Sequence, residues 1–125
     1  MKVLVIEDDS DIIEALTICL SDLEVDFKIS NSGKEGLSEL RRQHYDLILM
    51  DLAMPDFSGY DILDALRKDG TGASQNIVIS TASSVAEKDK HELMALGAKD
   101  VLPKPYRLKD LRSMVGKFDP GDNSK

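Results

Sequence analysis

A doubly wound α/β domain, a parallel sheet with helices on both faces, is the fold class this sequence predicts. Three observations predict it. Short, almost wholly apolar runs recur along the chain, stretches with helical spacing of apolar residues separate them, and 125 residues suffice for one hydrophobic core but not for two domains. Right-handed crossovers between successive strands then make the sheet parallel.

The first strand is expected at residues 3–6 (VLVI), with no polar interruption, as a strand covered on both faces requires. Ile12, Ile13, Leu16, Leu20 and Leu23 form the stripe of a first helix. Val25, Phe27 and Ile29 alternate with polar residues, a weaker strand signal. Leu37 and Leu40 mark the second helix, opened by Ser32 with Glu35 three residues on, the spacing at which a serine caps first-turn amides.

Residues 47–50 make the third strand, and Ile62, Leu63 and Leu66 the third helix, started by Ser58 with Asp61 and stopped by Gly70 or Gly72. A fourth strand at residues 77–79 leads to a helix on Leu93 and Leu96, with Ser84 and Glu87 at its start and Gly97-Ala98 at its stop. A short fifth strand at 101–102 precedes the last helix, on Leu108, Leu111, Val115 and Phe118. Residues 1–118 are thus expected to form the domain, and 119–125 (DPGDNSK), with no apolar stripe, a flexible C-terminal tail or linker stub. Periodicity leaves the strand order open.

Composition narrows the function. Asp and Glu number 23 against 16 Lys and Arg, a net charge of -7, which disfavours direct nucleic-acid contact because phosphate binding needs a concentrated positive footprint. No apolar run reaches the length of a membrane helix, and Glu7 interrupts the N-terminus before a signal peptide could form, so a cytoplasmic protein without membrane insertion is expected. Cys19 is the lone cysteine, which excludes an internal disulfide and a cysteine-rich zinc site; it reads as a small core residue.

The chemistry collects where strands end. Glu7, Asp8 and Asp9 follow the first strand and Asp51 follows the third, and in an α/β sheet such ends converge. Carboxylates crowded in a crevice repel, a divalent cation relieves the cost, and all-oxygen ligands suit Mg²⁺ or Mn²⁺. Thr81 follows the fourth strand and Lys104 the fifth. A hydroxyl and an ammonium beside an acidic metal site form a receptor for a phosphoryl group, with Asp51 as its nucleophilic acceptor. Taken singly, an acidic triplet is a surface run, a threonine caps a turn and a lysine faces solvent. Their joint placement on successive strand ends argues otherwise.

Val5-Ile6-Glu7-Asp8-Asp9, Leu49-Met50-Asp51-Leu52-Ala53-Met54-Pro55 with Ser58-Gly59, Ser80-Thr81-Ala82, Gly97-Ala98 and Lys104-Pro105-Tyr106 occur in that order. In these blocks the chain resembles the receiver domain of two-component response regulators, of the chemotaxis-regulator-like kind, over residues 1 to about 118. The resemblance implies a (βα)5 flavodoxin-like sheet of strand order 2-1-3-4-5. It implies that Glu7 and Asp8 bind Mg²⁺ directly or through water, that the Ala53 carbonyl is a further ligand, and that Asp51 is the phosphoacceptor. Thr81 then resembles the switch hydroxyl, Lys104 its charge partner, and Lys104-Pro105 the family's cis peptide. Asp9 is expected to be a surface group or to act behind the ligands.

Two departures stand out. Val101 occupies the strand position where many receivers carry an aromatic switch residue, and Ala53 and Ser83 carry no carboxylate or amide that would orient a hydrolytic water. Pro55, Ser58 and Gly59 are expected to shape the loop after Asp51 and cap the third helix, and His44 and His91 to lie on the surface. The resemblance implies a histidine kinase or histidine phosphotransfer domain as donor, and a downstream target or output domain met through the α4-β5-α5 face, by a monomer or a phosphorylation-dependent dimer. Independent substrate turnover is not expected.

The alternative is a phosphorylation-independent interaction module of the same fold, with a small-molecule phosphatase further behind. The chain contains no GxxxxGK[ST] loop, no GxGxxG fingerprint and no Ser/Thr/Gly-rich loop after strand 1 for a flavin phosphate. Its best nucleophile also follows strand 3 rather than strand 1, unlike a haloacid-dehalogenase-type phosphatase.

Overall fold

In the computed structural model, residues 1–71, 74–81, 87–104 and 107–121 are described, except for the side chains of Glu87 and Lys88. The strands are β1 (Lys2–Ile6), β2 (Asp26–Ser30), β3 (Leu47–Asp51), β4 (Ile77–Thr81) and β5 (Asp100–Pro103). The helices are α1 (Ser10–Asp22), α2 (Gly33–Arg42), α3 (Gly59–Asp69), α4 (Glu87–Ala95) and α5 (Leu108–Phe118). The sheet is parallel with order β2-β1-β3-β4-β5, the order the resemblance implied.

Burial explains why three strands read clearly and two faintly. Every residue of β3 and β4 is buried, as are four of the five in β1. The edge strand β2 alternates, because only one of its faces is fully covered. Alternation divides the interior into two cores. Val3, Val5, Leu47, Leu49 and Val78 pack against Leu16 and Leu20 of α1 and Leu111 and Val115 of α5. Leu4, Ile6, Ile48, Met50, Ile77 and Ile79 pack against Leu37 and Leu40 of α2, Ile62, Leu63 and Leu66 of α3 and Leu93 of α4.

The helix ends follow the local chemistry. Ser32 accepts from the Glu35 amide to start α2, and Ser58 and Asp61 form a reciprocal capping box on α3. Gly70 closes α3 at φ 77°, a left-handed cap that costs glycine little. Gly36 lets α2 approach β1: a Cβ there would stand 2.6 Å from Ile6 Cδ1. The expected cap at Ser84, the stop at Gly72, the Lys104-Pro105 peptide, Ala82, Ser83 and Tyr106 lie outside the described residues. Cys19 is half-buried at the margin of the α1/α5 core, and its neighbour Ile18 is 60% exposed.

Candidate functional site

The same alternation aims the site. Continuing the side-chain parity of Val3 and Val5 on β1, of Leu47 and Leu49 on β3 and of Leu102 on β5 brings Glu7, Asp51 and Lys104 to the α1/α5 side of the sheet, at its C-terminal edge. Adjacent β1 and β3 place the two carboxylates side by side. Glu7, Asp8 and Asp51 each bring a carboxylate oxygen within 4.8 Å of the others, with Asp8 exposed and the other two buried. Lys104 Nζ lies between them, 3.0 Å from Glu7 Oε1 and 3.3 Å from Asp51 Oδ1.

The electrostatics follow from crowding. Burial raises the Glu7 pKa above its ordinary value, and the Asp51 charge adds to the rise, against the lowering exerted by Lys104 and the Asp9 N–H. Burial acts to lower the Lys104 pKa, but the two carboxylates outweigh it and raise it. Lys104 is therefore a cation throughout the physiological range. Glu7 is 1% exposed, and its Oε1 stands 3.0 Å from the Lys104 ammonium. Three converging carboxylates, two of them buried, with no histidine or cysteine ligand in the cluster among the described residues, fit a hard dication such as Mg²⁺.

Backbone contacts hold the frame around the cluster. The Glu7 N–H donates to Ser30 O (3.0 Å), Leu52 N–H to Ser80 O (3.1 Å) and Lys104 N–H to Thr81 O (2.7 Å). The Ala53 N–H donates to Asp51 Oδ1 at 3.3 Å. α3 begins directly over this loop: the Gly59 N–H donates to Leu52 O, and a Cβ at Gly59 would meet Asp51 O at 3.2 Å. Beside the site, the stem of Lys104 lines an apolar cavity of about 170 Å³ between α1 and α5, walled by Ile12, Ala15, Cys19 and Leu111.

Of the residues singled out from sequence, Glu7, Asp8, Asp51 and Lys104 converge. Thr81 is buried at the end of β4, joined to Lys104 through the backbone. Val101 pairs with Ile79 in the sheet and packs into the α2/α3/α4 core. His44 and His91 are exposed, as expected. Asp9 does more than decorate the surface: its Oδ1 caps α1, accepting from the Asp11 N–H (2.9 Å) and the Ile12 N–H (3.3 Å), while its own N–H donates to Glu7 Oε2 (3.2 Å). An aspartate just before the first helical stripe was the available signal.

Comparison with known proteins agrees with this geometry. The response regulator receiver domain family matches residues 3–116. The cell cycle response regulator CtrA of Brucella ovis is 32% identical over 115 residues, covering 92% of this chain and 48% of CtrA. Hybrid signal transduction histidine kinase G of Dictyostelium discoideum is 32% identical over 123 residues, covering 96% of this chain and 4% of the kinase. The chain therefore spans about half the length of CtrA and a small fraction of the kinase.

Among solved structures, the receiver domain of the Francisella response regulator 1452 superimposes with TM-score 0.84 at 29% identity, over 94% of both chains. The receiver domain of the Pseudomonas aeruginosa sensor histidine kinase PA1611, solved with magnesium coordinated in its active site cleft, gives TM-score 0.82 at 25% identity, over 94% of this chain and 95% of that one. With the family match running from β1 into α5, the chain belongs to the response regulator receiver domain family.

Proposed function

We propose that the protein is a phosphorylatable receiver in which Asp51 takes a phosphoryl group from a histidine kinase or histidine phosphotransfer domain. The observation that carries this reading is the ammonium of Lys104 set between Glu7 and Asp51, beside a three-carboxylate cluster. An Asp51 oxygen attacks phosphorus as the N–P bond to the donor imidazole breaks. The imidazole leaves with the electron pair, and an aspartyl phosphate forms.

Glu7, Asp8 and Asp51, with the Ala53 carbonyl, would hold Mg²⁺ or Mn²⁺, which supplies positive charge against the phosphoryl oxygens. Lys104, already cationic and directed at Asp51, compensates that charge from the protein side, and the Thr81 hydroxyl donates to a phosphoryl oxygen. The magnesium in the cleft of the PA1611 receiver supports the metal assignment by likeness.

The working unit is residues 1–118, since α5 ends at Phe118, with 119–125 a tail or linker. Its product is a changed surface, and its only turnover is of its own aspartyl phosphate. The signal leaves through the α4-β5-α5 face to a downstream protein or an attached output domain, by a monomer or a phosphorylation-dependent dimer. Among the described residues no helix is long and apolar enough to cross a membrane; the cytoplasm is the compartment we propose because the kinase or phosphotransfer donor of this reading would meet the receiver there.

Incubation with a small phosphodonor and Mg²⁺, followed on a phosphate-affinity gel, tests the proposal. The wild type should shift, the shift should collapse at alkaline pH as an acyl phosphate does, and Asp51→Asn should abolish it. An unshifted wild type would instead favour a phosphorylation-independent interaction module.

A further inference from the structure

Three contacts of Asp9 meet at the point where β1 gives way to α1. Its Oδ1 accepts from the Asp11 and Ile12 amides, and its backbone N–H donates to Glu7 Oε2. The other oxygen of the same Glu7 carboxylate faces Lys104. Glu7 is thus held at one oxygen by the Asp9 amide and at the other by the ammonium, and Asp8 is the single residue between Glu7 and Asp9. The same Glu7 carboxylate, with those of Asp8 and Asp51, brings an oxygen within 4.8 Å of the other two.

We infer that Asp9 is a positioning residue for the metal cluster: by capping α1 and donating its amide to Glu7, it fixes how Glu7 and Asp8 leave β1. The inference rests on the reading of Glu7, Asp8 and Asp51 as a divalent-cation site. Asp9 itself acts through hydrogen bonds and not through its charge. A flexible turn must order two carboxylates when the cation arrives, whereas a capped one presents them already ordered. Loss of the side-chain cap frees the φ and ψ of Asp9, and the amide that orients Glu7 moves with them.

Calorimetric Mg²⁺ titration of the full chain separates the possibilities. Asp9→Ala should weaken Mg²⁺ binding about fivefold, the factor that corresponds to a typical lost cap. Asp9→Asn, neutral but an equally good cap, should restore it. Ser32→Ala, which removes the corresponding cap from α2 and no hydrogen bond to any of the three carboxylates, should lower the melting temperature and leave Mg²⁺ affinity unchanged.

Equal weakening by Asp9→Ala and Asp9→Asn would show that charge is what matters and overturn the inference, as would unchanged affinity in Asp9→Ala or weakening by Ser32→Ala. Asp8→Ala tells the two levels apart. If it weakens binding while Asp9→Ala does not, the inference alone fails; if Asp8→Ala has no effect, the metal site itself is wrong.

Discussion

Lys104 sits closer to Glu7 than to Asp51, at 3.0 Å and 3.3 Å, so a single ammonium balances two buried carboxylates that would otherwise repel. With Lys104 11% exposed and the carboxylates 2% and 8% exposed at the side chain, little water shares the task. A metal ion and this lysine therefore act on the same negative charge.

The first prediction follows from that competition. Without metal, Lys104→Ala leaves two buried carboxylates uncompensated and should cost about 3 kcal/mol of folding stability. A dication loses a repulsive neighbour in the same variant, so Mg²⁺ should bind about fivefold tighter. Urea unfolding with and without Mg²⁺ checks both: saturating Mg²⁺ should narrow the gap to wild type. Phosphorylation should nevertheless be slower, because the phosphoryl oxygens lose their cation.

A second prediction concerns the loop that follows Asp51. A Cβ at Gly33, in the first turn of α2, would stand 2.0 Å from the carbonyl oxygen of Phe57, and a backbone carbonyl cannot swing aside as a side-chain tip can. Gly33→Ala should therefore cost about 2 kcal/mol or more through overpacking. Because the displaced segment joins Asp51 to α3, phosphorylation should also slow at temperatures where the variant remains folded. Thermal melts and phosphorylation rates measured on the same preparation test the pair of effects.

The third prediction is a pH dependence remote from the site. Glu39, buried on α2, accepts from Tyr45 Oη at 2.6 Å and Gln43 Nε2 at 2.8 Å and pairs with Lys28 and Arg42. The Tyr45 hydrogen bond, then that of Gln43, holds its pKa down at about 2 from 4.5. Between those values the unfolded chain binds a proton that the folded one does not, so stability rises with pH there. The contribution of Glu39 is present above about 4.5 and is lost as pH falls through about 2. The stability advantage over Glu39→Gln should shrink across that window, and Tyr45→Phe should move the Glu39 carboxyl titration upward in NMR.

Much of the site was legible because a parallel sheet gathers strand ends whatever the loops do. Glu7, Asp8, Asp51 and Thr81 each stand at or just beyond a run of buried residues and Lys104 just beyond the short β5, and parity brings Glu7, Asp51 and Lys104 to one face. Glu39 was not legible. A glutamate between Leu37 and Leu40 reads as the solvent side of an amphipathic helix, and its burial depends on Tyr45, which reaches it only once the chain has turned into β3. The resemblance set Asp9 apart from Asp8, but the cap that Asp9 supplies to α1 was not read from the run of acids. Which of them capped α1 and which stayed free for a ligand depends on where the helix starts, a boundary that periodicity places only to within a few residues.

The last prediction concerns how phosphorylation leaves the site. Thr81 and Lys104 are tied by a 2.7 Å backbone hydrogen bond, so the ends of β4 and β5 move as a unit. A charge-assisted hydrogen bond from the Thr81 hydroxyl to a phosphoryl oxygen would draw that unit toward Asp51. Val101, one strand over and paired with Ile79, is half-buried against the α2/α3/α4 core. It is too small to swing between exposed and buried positions as a large ring does, so the part of β5 around Val101 should respond weakly. The response should pass mainly along the chain from Thr81 toward α4, whose Leu93 is fully buried while Met94 is 43% exposed. A phosphorylated site need only favour one arrangement over another to shift that helix. Backbone amide shifts of the Mg²⁺-loaded protein with and without beryllofluoride, in wild type and Thr81→Ala, measure the route. Wild-type changes should be large from Thr81 to Leu96, small around Val101, and should collapse in Thr81→Ala; an identical response in both proteins would show that the signal leaves without the threonine.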